Sequence, residues 1–206
     1  MPERHHLRQF LILVFVLLLP CFALWQVFAG LLATPAIGFV DSLLGYWLPG
    51  VVDTLYVDGK GALLMTNYGE QGGRPIALAQ AEYQLGFSIE TRIVSYCLPF
   101  YTALHFATPR TDYFNSWVLG LLLLYPLIAF GLLAICLKEL MVGLGSEFLQ
   151  QPDVWVPDAN LIALIYQINV LIVPVVAPAA IWLWQSRRTP LMHGLMTRLE
   201  ARGDTG

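Results

Sequence analysis

Residues 10–33 read Phe10-Leu-Ile-Leu-Val-Phe-Val-Leu-Leu-Leu-Pro-Cys-Phe-Ala-Leu-Trp-Gln-Val-Phe-Ala-Gly-Leu-Leu-Ala33, with no charged residue. A bilayer hydrocarbon core about 30 Å thick is crossed by roughly 20 apolar residues at the helical rise of about 1.5 Å. This stretch meets that length. Three further apolar runs follow, at 93–107, 117–137 and 161–184, each with a proline and none with an interior acid. With 57% hydrophobic and 12% charged residues and a mean hydropathy of +0.65, the chain lies outside the soluble range, where about a quarter of residues are charged. The expected class is a mainly α-helical membrane protein forming a single membrane domain over 1–206.

The net charge of -3 conceals alternating blocks. Arg4 and Arg8 precede the first run, Arg110 separates the second from the third, and Arg187, Arg188, Arg198 and Arg202 follow the fourth. The positive-inside bias places these in the cytoplasm. Lys60, Arg74, Arg92 and Lys138 fall in the remaining loops with ten of the fourteen acids, so those loops are expected outside. Basic termini on one side require an even number of crossings. The expectation is therefore four transmembrane helices, both termini cytoplasmic: 10–33, 92–110, 113–138 and 161–184. The second is the weakest, because its apolar core is short and Pro99 lies one turn inside; a re-entrant hairpin is its alternative. Residues 1–8 resemble the basic start of a signal peptide, but the apolar run is too long for one and reads as an uncleaved anchor.

Thr34-Pro35 has the form of an N-cap and first helical turn. Ala36, Val40, Leu43, Leu44 and Trp47 then recur at helical spacing, which predicts an interfacial helix over 34–50 or an oblique prolongation of the first span. Residues 51–91 change period. Two strands, 51–57 and 62–67, flank the turn signal Asp58-Gly59-Lys60-Gly61. In 82–90, Tyr83, Leu85, Phe87 and Ile89 alternate with polar residues or glycine, the period of a half-buried strand. A small extracytoplasmic antiparallel β insertion between the first and second spans follows. Its apolar face needs cover from the interfacial helix, the spans or a partner. Residues 185–206 read as a cytoplasmic amphipathic tail attracted to membrane lipid.

Sequence motifs for metal, phosphate or nucleophilic-serine chemistry are missing; no cofactor, metal or nucleic-acid partner is expected. Cys21, Cys97 and Cys136 all fall inside apolar runs, so no disulfide is implied. A sparse polar layer remains: Gln26, Cys97, Gln167 and Asn169, with Lys138 and Glu139 at the end of the third span. Interhelical hydrogen bonding is the ordinary role of such residues; contact with another membrane protein is the functional one. Phe87 on the predicted strand joins them as a candidate partner contact. Cys97 as a nucleophile lacks a base, because His105 lies eight residues further along the same helix, about 12 Å away.

The stretches Ile93-Val-Ser-Tyr-Cys-Leu-Pro-Phe-Tyr-Thr-Ala-Leu104, Ala134-Ile-Cys-Leu-Lys-Glu139 and Tyr166-Gln-Ile-Asn-Val-Leu-Ile-Val-Pro174, followed by Pro178 and Trp182, resemble the exosortase H-associated membrane proteins. That resemblance implies a multi-pass accessory protein of the bacterial inner membrane in a Gram-negative protein-sorting or exopolysaccharide-linked export system, with an exosortase as partner. Exosortases are transpeptidase-like enzymes using a Cys, an Arg and a His near the outer face. Here Cys97 is followed by Leu98-Pro99 where the enzyme motif has Ser-Gly, and Lys138 stands about forty residues on. The resemblance therefore implies a companion with no catalytic residue. A cryptic cysteine enzyme built on Cys97, or a small transporter or channel subunit, are the competing readings.

Overall fold

The computed structural model describes residues 2–152, 154–187 and 189. Helix α1 runs Pro2–Trp47; strands β1 (Val52–Asp58), β2 (Gly61–Gln71), β3 (Arg74–Ala77) and β4 (Gln84–Ile89) follow. Then come α2 (Arg92–Ser95), α3 (Cys97–Ala107), α4 (Tyr113–Leu144), α5 (Ser146–Leu149), α6 (Ala159–Gln167), a π-helical stretch at Ile168–Ile172, and α7 (Val173–Ser186). Three helices are long and apolar enough to cross a bilayer: Arg8–Trp47, Tyr113–Leu144 and the continuous Ala159–Ser186. The molecule is thus a mainly helical membrane protein with an antiparallel sheet between its first and later helices.

Two boundaries differ from the sequence-based expectation, and a third cannot be compared. Thr34-Pro35 does not begin a new helix: α1 passes straight through, and the Thr34 hydroxyl donates back to the Gly30 carbonyl at 3.0 Å. This is the oblique-prolongation alternative, and at 40 residues from Arg8 the helix is about 60 Å long, twice a hydrocarbon core. The expected second span is two short helices broken at Tyr96, whose longer part, α3, has 11 residues, about 16 Å. It does not reach crossing length as one helix. The tail expected over 185–206 lies, from residue 190 onward, outside the described residues.

The described chain divides into two compact units: Met1–Val27, Tyr96–Leu124 and Val175–Gly206 in the first, Phe28–Ser95 and Tyr125–Pro174 in the second. In the second unit β2 is the central strand, pairing antiparallel with β1, β3 and β4. The β1–β2 hairpin closes on two residues, Gly59 and Lys60, between the paired Asp58 and Gly61, with Gly59 at φ +57°. That left-handed value is what the glycine supplies. The β2–β3 hairpin closes likewise on Gly72 and Gly73. β3 lay unrecognised in the sequence because Pro75 breaks a four-residue run.

The cover of the sheet is the protein's own helices. Val51 and Val52 N–H groups bond the Leu48 carbonyl, and Asp41 Oδ1 on α1 accepts from the Leu55 N–H at 2.6 Å. A Cβ on Gly30 would stand 2.7 Å from the Gly59 carbonyl oxygen, so the hairpin tip rests on α1 at that glycine. Ala29, Ala33, Ala36, Ile37, Val40, Leu44 and Leu48 form one buried stripe of α1, the helical spacing of a core face. On the other side the Phe87 ring occupies the space that a side chain at Gly143 of α4 would need. Tyr125 Oη donates to the Leu32 carbonyl at 3.1 Å, joining α4 to α1.

In the first unit Phe10 and Trp182 stack, and Val14, Leu104 and Ala107 are buried around them. The start of α1, the end of α3 and the end of α7 therefore lie at one end of this unit.

Candidate functional site

The residues expected to form one polar layer are distributed over different environments. Lys138 and Glu139, adjacent on α4, pair with each other at 2.7 Å, both about 30% exposed. The Lys138 ammonium also stands over the Tyr166 ring of α6, 5.6 Å from its centroid, within cation–π range. Gln167 is exposed and bonds neither of them among the described residues. Asn169 is 3% exposed, but its amide donates to the Ile165 carbonyl one turn back, at 2.8 Å, and not to a neighbouring helix. It sits in the π-helical stretch. Pro174 and Pro178 nearby cannot donate to the carbonyls one turn before them, which loosens the α-helical ladder here. Gly131 on α4 accommodates Val94 of α2, whose Cγ1 would stand 2.8 Å from an added Cβ. Phe87, half-buried, packs at Gly143 within its unit.

Cys97 and Gln26 belong to the first unit. Gln26 is exposed and Cys97 is 3% exposed at the start of α3. His105 does not face the thiol. It is fully buried, with Nε2 2.8 Å from the Tyr113 carbonyl and Nδ1 3.2 Å from Tyr101 Oη. Because a carbonyl only accepts, Nε2 carries hydrogen and Nδ1 of the neutral ring is left to accept.

Around Tyr101 lies a buried network that sequence reasoning missed. Its hydroxyl stands 2.8 Å from Gln185 Oε1 and 3.0 Å from the Ser116 carbonyl. Gln185 Nε2 donates to the same carbonyl at 2.8 Å, while Arg110 Nη1 approaches Gln185 Oε1 at 3.4 Å. Flipping the amide would set its NH2 against the guanidinium and its oxygen against the carbonyl, so these donors fix its orientation. Arg110 Nη2 donates to Ser186 Oγ at 2.9 Å. Trp182 Nε1 donates to Thr108 Oγ1 at 2.7 Å, and Trp117 Nε1 to Thr102 Oγ1 at 3.2 Å. Gly120 on α4 is where Tyr101 lodges; a side chain there would collide with the phenol. The network clamps α3, the start of α4 and the end of α7. The one sequence signal was Tyr101 and His105 four apart on one helical face; Ser116 and Gln185 are far away in sequence.

Burial of Arg110 is compensated by neutral acceptors alone. Its Nε–H is buried without an acceptor, and the ion pairs among the described residues are Glu90–Arg92 and Lys138–Glu139. Desolvation lowers its pKa from the ordinary guanidinium value, though a guanidinium stays charged at any physiological pH.

The family model described as exosortase H-associated membrane protein matches residues 4–189. No curated protein and no solved structure matches the chain. The chain belongs to the exosortase H-associated membrane protein family, in agreement with the resemblance carried by the stretches around Cys97, Lys138 and Tyr166.

Proposed function

From that membership we propose that the protein is a non-enzymatic inner-membrane accessory subunit of an exosortase H system, holding the exosortase in position during protein sorting. The observation that carries this reading is the commitment of its candidate catalytic groups to internal contacts. Cys97 is buried, and His105 is occupied by Tyr101 and the Tyr113 carbonyl. A nucleophile needs an approach for substrate, and the burial of Cys97 leaves it little of one.

A multi-pass arrangement with both termini cytoplasmic is part of the proposal. It is supported by Arg8, Arg110 and Arg187 at the ends of elements that meet in the first unit, and by the positive-inside bias. Asp58 and Lys60, exposed at the hairpin tip against Gly30, are costly in hydrocarbon. Their cost supports an outer bilayer edge near Gly30, with the rest of α1 and the sheet outside, as the topology we propose. Arg8 to Gly30 is then about 33 Å of helix, one bilayer core.

The test is co-purification with the exosortase in mild detergent, beside processing of a sorting substrate by a Cys97→Ser strain. Association with normal processing by Cys97→Ser is expected. Processing lost at normal protein levels would replace the accessory reading by an enzymatic one, and a failure to associate would remove the scaffold.

A further inference from the structure

We propose that Arg110, held in position by the buried Ser186, binds together with Arg187 the phosphate group of an anionic lipid at the basic end of the first unit. The proposal is independent of any exosortase contact.

The Arg110 guanidinium is fixed in place without being neutralised. Ser186 Oγ and Gln185 Oε1 hold its two Nη atoms at 2.9 and 3.4 Å, and neither acceptor is charged. Gln185 Oε1 is moreover shared with Tyr101 Oη at 2.8 Å. Asp112 lies two residues on, exposed, and makes no ion pair among the described residues. A guanidinium carries five N–H donors in a planar fork suited to phosphate oxygens. With two engaged and the Nε–H buried, one hydrogen on each Nη is left for a ligand.

Two further cations share this end. Arg187 follows Ser186 directly and is exposed. Arg8, also exposed, is two residues from Phe10, which stacks on Trp182 one turn before Ser186. Acyl chains as well as a headgroup find a place here. Phe106, Tyr113 and Phe114 flank Arg110 in the chain and Leu183 and Trp184 flank Ser186, all between 37% and 69% exposed. Aromatic side chains gather at headgroup depth in membrane proteins, and a charge at the edge of exposed apolar surface suits a lipid better than a soluble phosphate.

The experiment is native mass spectrometry of the full chain purified in neutral detergent, with phosphatidylglycerol or phosphatidylcholine added. The wild type is expected to retain phosphatidylglycerol preferentially. Retention should fall about fivefold in Arg187→Gln, a surface change that leaves the fold intact, and about tenfold in Arg110→Gln, with Arg110→Lys between them. Arg74→Gln on β3 should change nothing. Should Arg110→Gln fail to fold, Arg187→Gln decides alone. Equal retention of both lipids, or undiminished phosphatidylglycerol on Arg187→Gln, would overturn the proposal. Displacement of the lipid by millimolar inorganic phosphate would also overturn it, identifying a soluble-phosphate site.

Discussion

Phe10 and Trp182 stack with centroids 5.3 Å apart and planes 13° from parallel, bringing the beginning of the first helix against the end of the last. Trp182 also donates to Thr108 at 2.7 Å, so the end of α3 is drawn to the same place. Within the first unit, the start of α1, the end of α3, the start of α4 and the end of α7 are thus gathered together. Helix α3, with 11 residues, is shorter than one ordinary span.

Replacing Trp182 by alanine removes both the stack and the Thr108 hydrogen bond. Since Trp182 is only partly buried, the loss should be about 2–3 kcal/mol, below the usual range for a fully buried aromatic. Trp182→Phe should keep the stack and lose about 1 kcal/mol for the indole N–H bond. Thermal unfolding in mild detergent measures both; a harmless Trp182→Phe would deny the hydrogen bond any part, and equal losses would deny it to the stack.

Tyr101→Phe deletes one oxygen at the centre of the buried network. The phenol has one hydrogen to give, so the variant leaves one of its buried acceptors short of a donor, and a loss of about 1–3 kcal/mol is expected. Gly120→Ala should be at least as harmful, because the new methyl collides with the phenol. If Gly120→Ala is harmless, Tyr101 does not occupy that notch.

What could be read in the sequence was whatever is periodic. The alternation through Tyr83, Leu85, Phe87 and Ile89 announced β4, and Asp58-Gly59-Lys60-Gly61 announced the first hairpin. The Thr34-Pro35 pair misled, because local start signals yield to a helix whose far half is packed against a sheet. The Tyr101 network could not be read, since Ser116 and Gln185 acquire meaning only from being placed beside Tyr101. Lys138 and Glu139 could be seen as neighbours in the sequence, but Tyr166, the aromatic face beside Lys138, could not.

Glu90 and Arg92 form a bidentate ion pair with contacts of 2.7 and 2.6 Å. The hydrogen bonds from Arg92 hold the Glu90 carboxyl below the usual carboxylate range. In acid the unfolded chain binds this proton before the folded one does. The stabilisation is therefore complete above the ordinary glutamate pKa and disappears as pH falls through the lowered folded value. Because the pair is well exposed, the effect is small and weakened by salt. Glu90→Gln should flatten the acid limb of the melting-temperature profile slightly; an unchanged profile would show that the pair adds nothing in solution.

Topology is best probed on the β2–β3 hairpin. Gly72 and Gly73 have φ of +60° and +79°, so a cysteine in either place would strain the turn. Arg74, next to them, is exposed in ordinary strand geometry. Arg74→Cys is expected to react with membrane-impermeant thiol reagents in intact spheroplasts. Labelling only after the membrane is opened would place the sheet inside.

The contact between Phe87 and Gly143 decides whether the sheet is covered by α4 or held by other means. A Cβ on Gly143 collides with the ring, and the ring is the larger and more displaceable partner. Gly143→Ala alone should therefore destabilise by about 1–3 kcal/mol through overpacking. Phe87→Ala alone should cost about 2–4 kcal/mol for a half-buried ring. Together they should cost less than the sum of the two, since the alanine methyl at 143 enters space that the missing ring has vacated. A coupling of about 1 kcal/mol or more in that direction marks direct contact. Simple additivity would mean that β4 does not lie on α4, and that Phe87 is free to serve as the partner contact its place on the strand first suggested.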